Sequence, residues 1–177
     1  MTQDQHYRRI LRERPATAHH EAGHVVIATI EGLRFQRVSI VEDTEGGLGR
    51  TVGAAHPVWT VPTEPSFAPK RAFKYYERFG RVAYAGGIAQ AVYLGRSPRF
   101  VLTGEAAILH EVARPLLRSE REFRDWMRGL FRQSEALTQR AEVWRAVEAL
   151  ANRLLSELEI NGRVATQIAT QALKGQV

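Results

Sequence analysis

The alternation of apolar and polar positions predicts a chain built mainly of helices. Residues 4–14 (DQHYRRILRER) place Tyr7, Ile10, Leu11 and Arg14 near one face, as a short amphipathic helix does. Pro15 suits the first turn of a second helix, which runs to about Glu31 and stops at Gly32. Within it Ala22, Val25, Val26, Thr29, Ile30 and Leu33 form an apolar stripe. The pattern then changes period. Residues 35–41 (FQRVSIV) alternate and are β-branched, and residues 48–52 (LGRTV) are able to pair back on them, giving a β hairpin over 35–53. Four prolines (Pro57, Pro62, Pro65, Pro69) mark residues 54–69 as an irregular loop. Helical spacing resumes over 70–94, ending before Gly95. Its first half is two-faced, with Phe73, Tyr76, Phe79 and Ala83 set apart from Lys70, Lys74, Arg78 and Arg81. Its second half is apolar all round, as a buried central helix requires, and Gly86-Gly87 would let a neighbouring helix approach closely. Three further helical stretches are expected over 104–117 (capped by Thr103), 119–138 (with the Ser119/Glu122 capping box) and 141–159. A last one covers 163–174 after the Asn161-Gly162 break. Trp126, Trp144, Leu150 and Leu154 are the expected core anchors. The expectation is one domain over 1–177, mainly α (α+β), with a single small β hairpin.

The 177 residues contain no cysteine, which excludes a disulfide scaffold, a thiolate zinc finger, an iron–sulfur cluster and a cysteine nucleophile. Any metal must be held by His, Asp, Glu or backbone oxygen. No apolar run is long enough to span a bilayer and no signal-peptide pattern follows Met1, so a cytoplasmic location is expected. The net charge of +6 raises nucleic acid as a partner. The 25 basic residues are scattered and often stand beside glutamates at helical spacing, which describes a solvated surface better than a nucleic-acid platform. Only Asp4, Asp43 and Asp125 are aspartates, against sixteen glutamates, so a site needing a further carboxylate is expected to use glutamate.

The sharpest chemistry is His20-Glu21-Ala22-Gly23-His24, an H-E-x-x-H pattern in a helical stretch. Residues i and i+4 share a helix face, so both imidazoles reach one zinc ion. Glu21, rotated by roughly 100°, stands beside the metal as a general base for its water. The apolar stripe lies on the opposite side, so the histidines are expected to face a cleft. Ala22 and Gly23 are small and leave room there. His19, on another side of the helix, is expected to be structural or exposed.

The segment Thr17-Ala-His-His-Glu-Ala-Gly-His24 resembles the opening of the peptidase domain of the FtsH family, the membrane-bound AAA+ zinc proteases. Further likenesses follow in order. Arg37-Val-Ser-Ile-Val41 with Gly47-Leu-Gly49 resembles that family's hairpin. Ala85-Gly-Gly-Ile-Ala-Gln-Ala-Val-Tyr-Leu-Gly95 is similar to its A-G-R-x-A-E-x-x-x-x-G helix. Thr103-Gly104 and Glu111-Val-Ala-Arg114 resemble its T-G-A-x-x-D helix and downstream I-A-R. The likeness covers roughly residues 14–118 and implies a helical zincin-like peptidase fold. The family's third ligand is an aspartate at the start of the T-G helix. Aligning Val112-Ala113-Arg114 puts Glu105 there if the preceding loop is three residues shorter; without that gap the position falls on Ile108. His110 and Glu111 are the alternatives, and His56 a further one.

The resemblance implies a zinc-dependent endopeptidase acting on polypeptide, with Gly46, Gly47, Leu48 and Gly49 as an edge strand that binds extended substrate by strand addition. It also implies a homo-oligomer or a separate ATPase partner, since the chain carries no Walker A pattern and is expected to stand alone without the AAA+ module. The rival expectation is a non-catalytic, metal-stabilised binding or regulatory module of the same fold.

Overall fold

A computed structural model describes residues 3–42, 48–50, 69–102 and 104–176. The chain is mainly helical. Six α-helices are described: α1 (Gln3–Ile30), α2 (Pro69–Tyr93), α3 (Ile108–Val112), α4 (Glu120–Thr138), α5 (Ala141–Glu157) and α6 (Gly162–Leu173). The strands β1 (Arg37–Glu42), β2 (Leu48–Arg50) and β3 (Glu159–Asn161) form one antiparallel sheet in the order β2-β1-β3.

Helix α1 packs against α2, α5 and α6 and forms the centre of the protein. Two expected helices are in fact this one, because it runs through Pro15 without a break. The carbonyl of Pro15 accepts the His19 Nδ1 proton at 2.7 Å, and Thr17 Oγ1 donates to Glu13 O at 3.2 Å, so side chains add hydrogen bonds around the proline turn. The expected open face is narrow. Every residue from Ala16 to Ala28 is buried except His20. Ile30, placed in the apolar stripe by its spacing, is exposed instead, because α1 ends there.

Helix α2 begins at Pro69 and buries Tyr76, Phe79, Val82, Ala85, Ile88 and Ala89. It ends in a Schellman motif. Gly95 adopts φ +65°, Gly95 N donates to Val92 O at 3.0 Å, and Arg96 N donates to Ala91 O at 2.8 Å. The lower end of α1 is clamped to α2 by charge. Arg81 holds both oxygens of Glu31, Nε to Oε1 at 2.6 Å and a terminal nitrogen to Oε2 at 2.8 Å, while Ser134 Oγ of α4 donates to Arg81 O at 2.8 Å.

Helix α4 starts as its sequence suggests. Ser119 Oγ accepts from Glu122 N at 3.1 Å; the Glu122 carboxylate accepts from Arg118 N at 2.7 Å rather than from the cap residue itself. The expected helix over 104–117 is broken into a 3₁₀ turn (Gly104–Ala107), α3, and a second 3₁₀ turn (Arg114–Leu116). Pro115 explains the second break, since its ring would meet the Glu111 carbonyl and it has no N–H to give. Thr103 lies outside the described residues.

Helix α5 is shorter than the 141–159 expected. Leu158 takes a left-handed conformation (φ 62°) and turns the chain into β3. Strand β3 pairs with β1 through Arg37↔Asn161, Val38↔Ile160 and Ser39↔Glu159, so the hairpin is the outer part of a three-stranded sheet. Gly162 is needed at this junction because a Cβ would lie 2.8 Å from the Gln36 carbonyl oxygen. Leu150 and Leu154 are fully buried, whereas Trp126 and Trp144 pack on the core with part of each ring exposed. The proline-rich stretch 51–68 lies outside the described residues, and among the described residues no helix is long and apolar enough to cross a membrane.

Candidate metal centre

The pairing of α1 with α2 sets the position of both motif histidines. The helices approach so closely that a Cβ on Gly23 would lie 2.7 Å from Ala85 O and from Ala89 Cβ. One turn along, the His24 ring lies over Gly86. A Cβ on Gly86 would stand 2.7 Å from ring carbons Cδ2 and Cε1 and still closer to Nε2. The Gly86-Gly87 pair is thus divided in its work: Gly86 receives the imidazole, while Gly87 faces open space.

Each imidazole is held from behind. His24 Nδ1 donates to the Val82 carbonyl at 2.8 Å, and His20 Nδ1 faces Gln90 Oε1 at 3.4 Å. An oxygen acceptor on Nδ1 fixes the neutral ring with its proton there and leaves the Nε2 lone pair exposed on the other side. The two Nε2 atoms are 3.1 Å apart. Glu105, in the first turn of the 3₁₀ segment, brings Oε1 to 3.8 Å from His20 Nε2 and 3.9 Å from His24 Nε2. Among the described residues, this is the group of three donors that lies close enough to hold a metal ion. With sides of 3.1, 3.8 and 3.9 Å, the point equidistant from the three atoms is about 2.1 Å from each, which matches zinc–nitrogen and zinc–oxygen bond lengths.

Two bare lone pairs and a carboxylate facing one point repel one another unless a cation or a proton lies between them. The acid–base behaviour shows the same stress. Burial, then the neighbouring His20, lowers the His24 pKa to about 4. Burial also works against a proton on His20, but the Glu105 carboxylate, with help from Glu21, outweighs it and raises that pKa. At 3.8 Å the attraction of Glu105 is one of opposite charge rather than a good hydrogen bond. His20, first, and His24 hold the Glu105 carboxyl down at about 2 despite its burial. Two nitrogens and one oxygen, with no sulfur, are donor types that a zinc ion accepts. The residues fit the ion. The His24 side chain is 2% exposed, His20 23% and Glu105 34%, so the approach from solvent is over His20 and Glu105.

The other expected residues fall as follows. Glu21 is buried beside this group, where its charge acts on His20. His110 is exposed and sits 3.9 Å from Glu120, and Glu111 is exposed on the same short helix; neither joins the two histidines. Ile108 is partly buried against the core. His56, Gly46 and Gly47 lie outside the described residues. Leu48 and Gly49 lie in β2, at the edge of the described sheet. His19 is structural: it is buried, and its ring stacks on Tyr93 with centroids 3.9 Å apart. Gln90 and the Val82 carbonyl were not anticipated. Gln90 carries a faint signal, as the polar residue one turn beyond Gly86-Gly87 in an otherwise apolar run; a backbone carbonyl carries none.

No family model matches this chain, and no curated protein matches it either. The FtsH-family likeness rests on the residues quoted above alone.

Proposed function

We propose that this protein is a zinc-dependent endopeptidase of the FtsH peptidase type, hydrolysing peptide bonds in unfolded or flexible polypeptides. The observation that carries the proposal is the convergence of His20 Nε2, His24 Nε2 and Glu105 Oε1 within 4.8 Å of one another, with Glu21 beside them. His20, His24 and Glu105 would hold the ion. Zinc in such a site supplies Lewis acidity, making water easier to deprotonate and a carbonyl easier to attack. Val82 and Gln90 orient the imidazoles and place the proton of each neutral ring on Nδ1. Glu21 is the proton carrier: it takes a proton from the attacking water and returns it to the leaving amine. Gly86 keeps His24 in place throughout.

An extended substrate is proposed to add to the β2 edge, and a homo-oligomer or a separate ATPase partner belongs to the same proposal by likeness alone. A cytoplasmic setting is part of it, in keeping with the absence of cysteine. The test is cleavage of a casein-like unfolded substrate by the zinc-loaded wild type and Glu21→Gln. Cleavage by the wild type, with at least a 100-fold loss in the variant at unchanged zinc content, is expected. Equal cleavage by both removes Glu21 as the base, and no cleavage by a zinc-loaded wild type leaves a metal-stabilised, non-catalytic module.

A further inference from the structure

A groove of about 690 Å³ opens on the Gln90 side of the His20 ring. Its floor is formed by Gly87, Gln90 and Ala91 of α2 and by Leu94 just past the helix end, and Arg96 and Arg99 stand on its wall. One residue links it to the candidate site: Gln90 lines the groove and also faces His20 Nδ1 at 3.4 Å, so the groove runs past the His20 ring on the side away from Nε2. A Cβ on Gly87 would meet nothing within 4 Å, so the floor is open above it.

The wall is charged in one sense only. Among the described residues, no acidic residue lines the groove, and neither the Arg96 nor the Arg99 guanidinium forms an ion pair. Most arginines elsewhere on α2 and α4 have carboxylate partners close by, such as Arg81 with Glu31, Arg124 with Glu120 and Arg128 with Asp125. The Schellman turn at Gly95 fixes where the chain leaves α2 and so places Arg96 at the far end of the groove from His24. Gly87 to Leu94 spans seven residues of helix, roughly 10 Å, which is the length of about three residues of extended peptide.

We propose that this groove receives the substrate polypeptide on one side of the bond cleaved and selects an acidic side chain, about three residues from that bond, at Arg96 and Arg99. The proposal rests on the peptidase reading, and it names the substrate class: unfolded polypeptides rich in Asp and Glu. Planar guanidiniums suit carboxylates because they donate two parallel hydrogen bonds. Both are exposed, so the discrimination is modest, about threefold per arginine, and weakens with salt.

The test measures fluorescence anisotropy of three labelled, unstructured decapeptides carrying a single Glu, Gln or Lys, bound to the zinc-loaded Glu21→Gln protein so that no cleavage occurs. The Glu peptide is expected to bind about tenfold tighter than the Gln peptide. Arg96→Glu and Arg99→Glu each remove about threefold of the preference for Glu, and in the double variant the order reverses in favour of Lys. Arg121→Glu, a charge change equal to that of either single variant and placed on α4 away from the groove, leaves the order intact. Equal affinities for the three peptides overturn the proposal, as does an Arg121→Glu effect equal to that of either single groove variant. Cleavage of the same peptides by the wild type separates the two readings. A charge preference without any cleavage upholds the groove and removes the peptidase, whereas cleavage without a charge preference removes the groove alone.

Discussion

Replacing Gly86 by alanine is the smallest change that reaches the proposed metal centre, because it adds one methyl group and no charge. That methyl would lie 2.7 Å from two carbons of the His24 ring, against ordinary carbon contacts of about 3.5–4.0 Å. The ring must therefore retreat by about 0.8 Å or more. Helix α2 yields instead only by drawing away from α1, which opens the close packing of Gly23 against Ala85 and Ala89. Retreat of the ring stretches the 2.8 Å bond from His24 Nδ1 to Val82 O and turns Nε2 away from His20 and Glu105. Overpacking of this size costs about 1–3 kcal/mol. Alanine returns about 0.5–1 kcal/mol through its better helix propensity, so a net loss of up to about 2.5 kcal/mol is expected. The effect on metal is larger, a 10- to 100-fold loss of zinc affinity, as is usual when a ligand's supporting contact is removed. Competition with a chromogenic chelator measures the affinity and urea denaturation the stability. Gly87→Ala is the control: it adds the same methyl to the same helix where nothing lies within 4 Å, and should gain stability while binding zinc normally. Zinc binding by Gly86→Ala within twofold of the wild type would refute the argument.

The metal-free protein should lose stability in mild acid. The folded pKa of His24 is lowered to about 4 from an ordinary 6.5, so the unfolded chain binds the extra proton; stability rises with pH across that window and is lost as pH falls through it, by about 3 kcal/mol at most. Glu105, held at about 2, adds a further loss as pH falls below its ordinary 4.5, whereas His20, whose pKa is raised, contributes stability that disappears as pH rises through the raised value. Urea midpoints of the metal-free protein that stay level between pH 7 and 4.5 would contradict this balance. Arg81→Ala should destabilise by about 2 kcal/mol, because it leaves the largely buried Glu31 carboxylate without its two-pronged partner at the junction of α1, α2 and α4; a loss under 0.5 kcal/mol in urea denaturation would contradict the clamp.

The parts of this architecture that follow from local rules are legible in the chain. Spacing alone identifies His20, Glu21 and His24 as a set, and Ser119 with Glu122 marks the start of α4. What depends on distant pairing is not. Strand β3 is three residues long, and its partner β1 lies about 120 positions earlier, so neither length nor pattern announces it. Pro15 reads equally well as the start of a helix or as a residue within one, and only packing on α2, α5 and α6 decides. The closed environment of the histidines was hidden for a related reason: α1 is covered on nearly every side by elements far away in sequence. Glu105 shows the intermediate case. Nothing in its own neighbourhood marks it, and an alignment with a gap was needed to choose it over Ile108. The break of the expected helix into a 3₁₀ turn then carries its carboxylate to the histidines.

The central claim is that His20, His24 and Glu105 enclose one divalent cation, and metal analysis tests it most directly. Purified wild type, loaded with zinc and freed of excess, should hold one ion per chain. His20→Ala, a change at a partly exposed position that leaves the circular dichroism spectrum unaltered, should hold none. A wild type that retains no zinc, or a His20→Ala variant that keeps one ion per chain, would contradict the account.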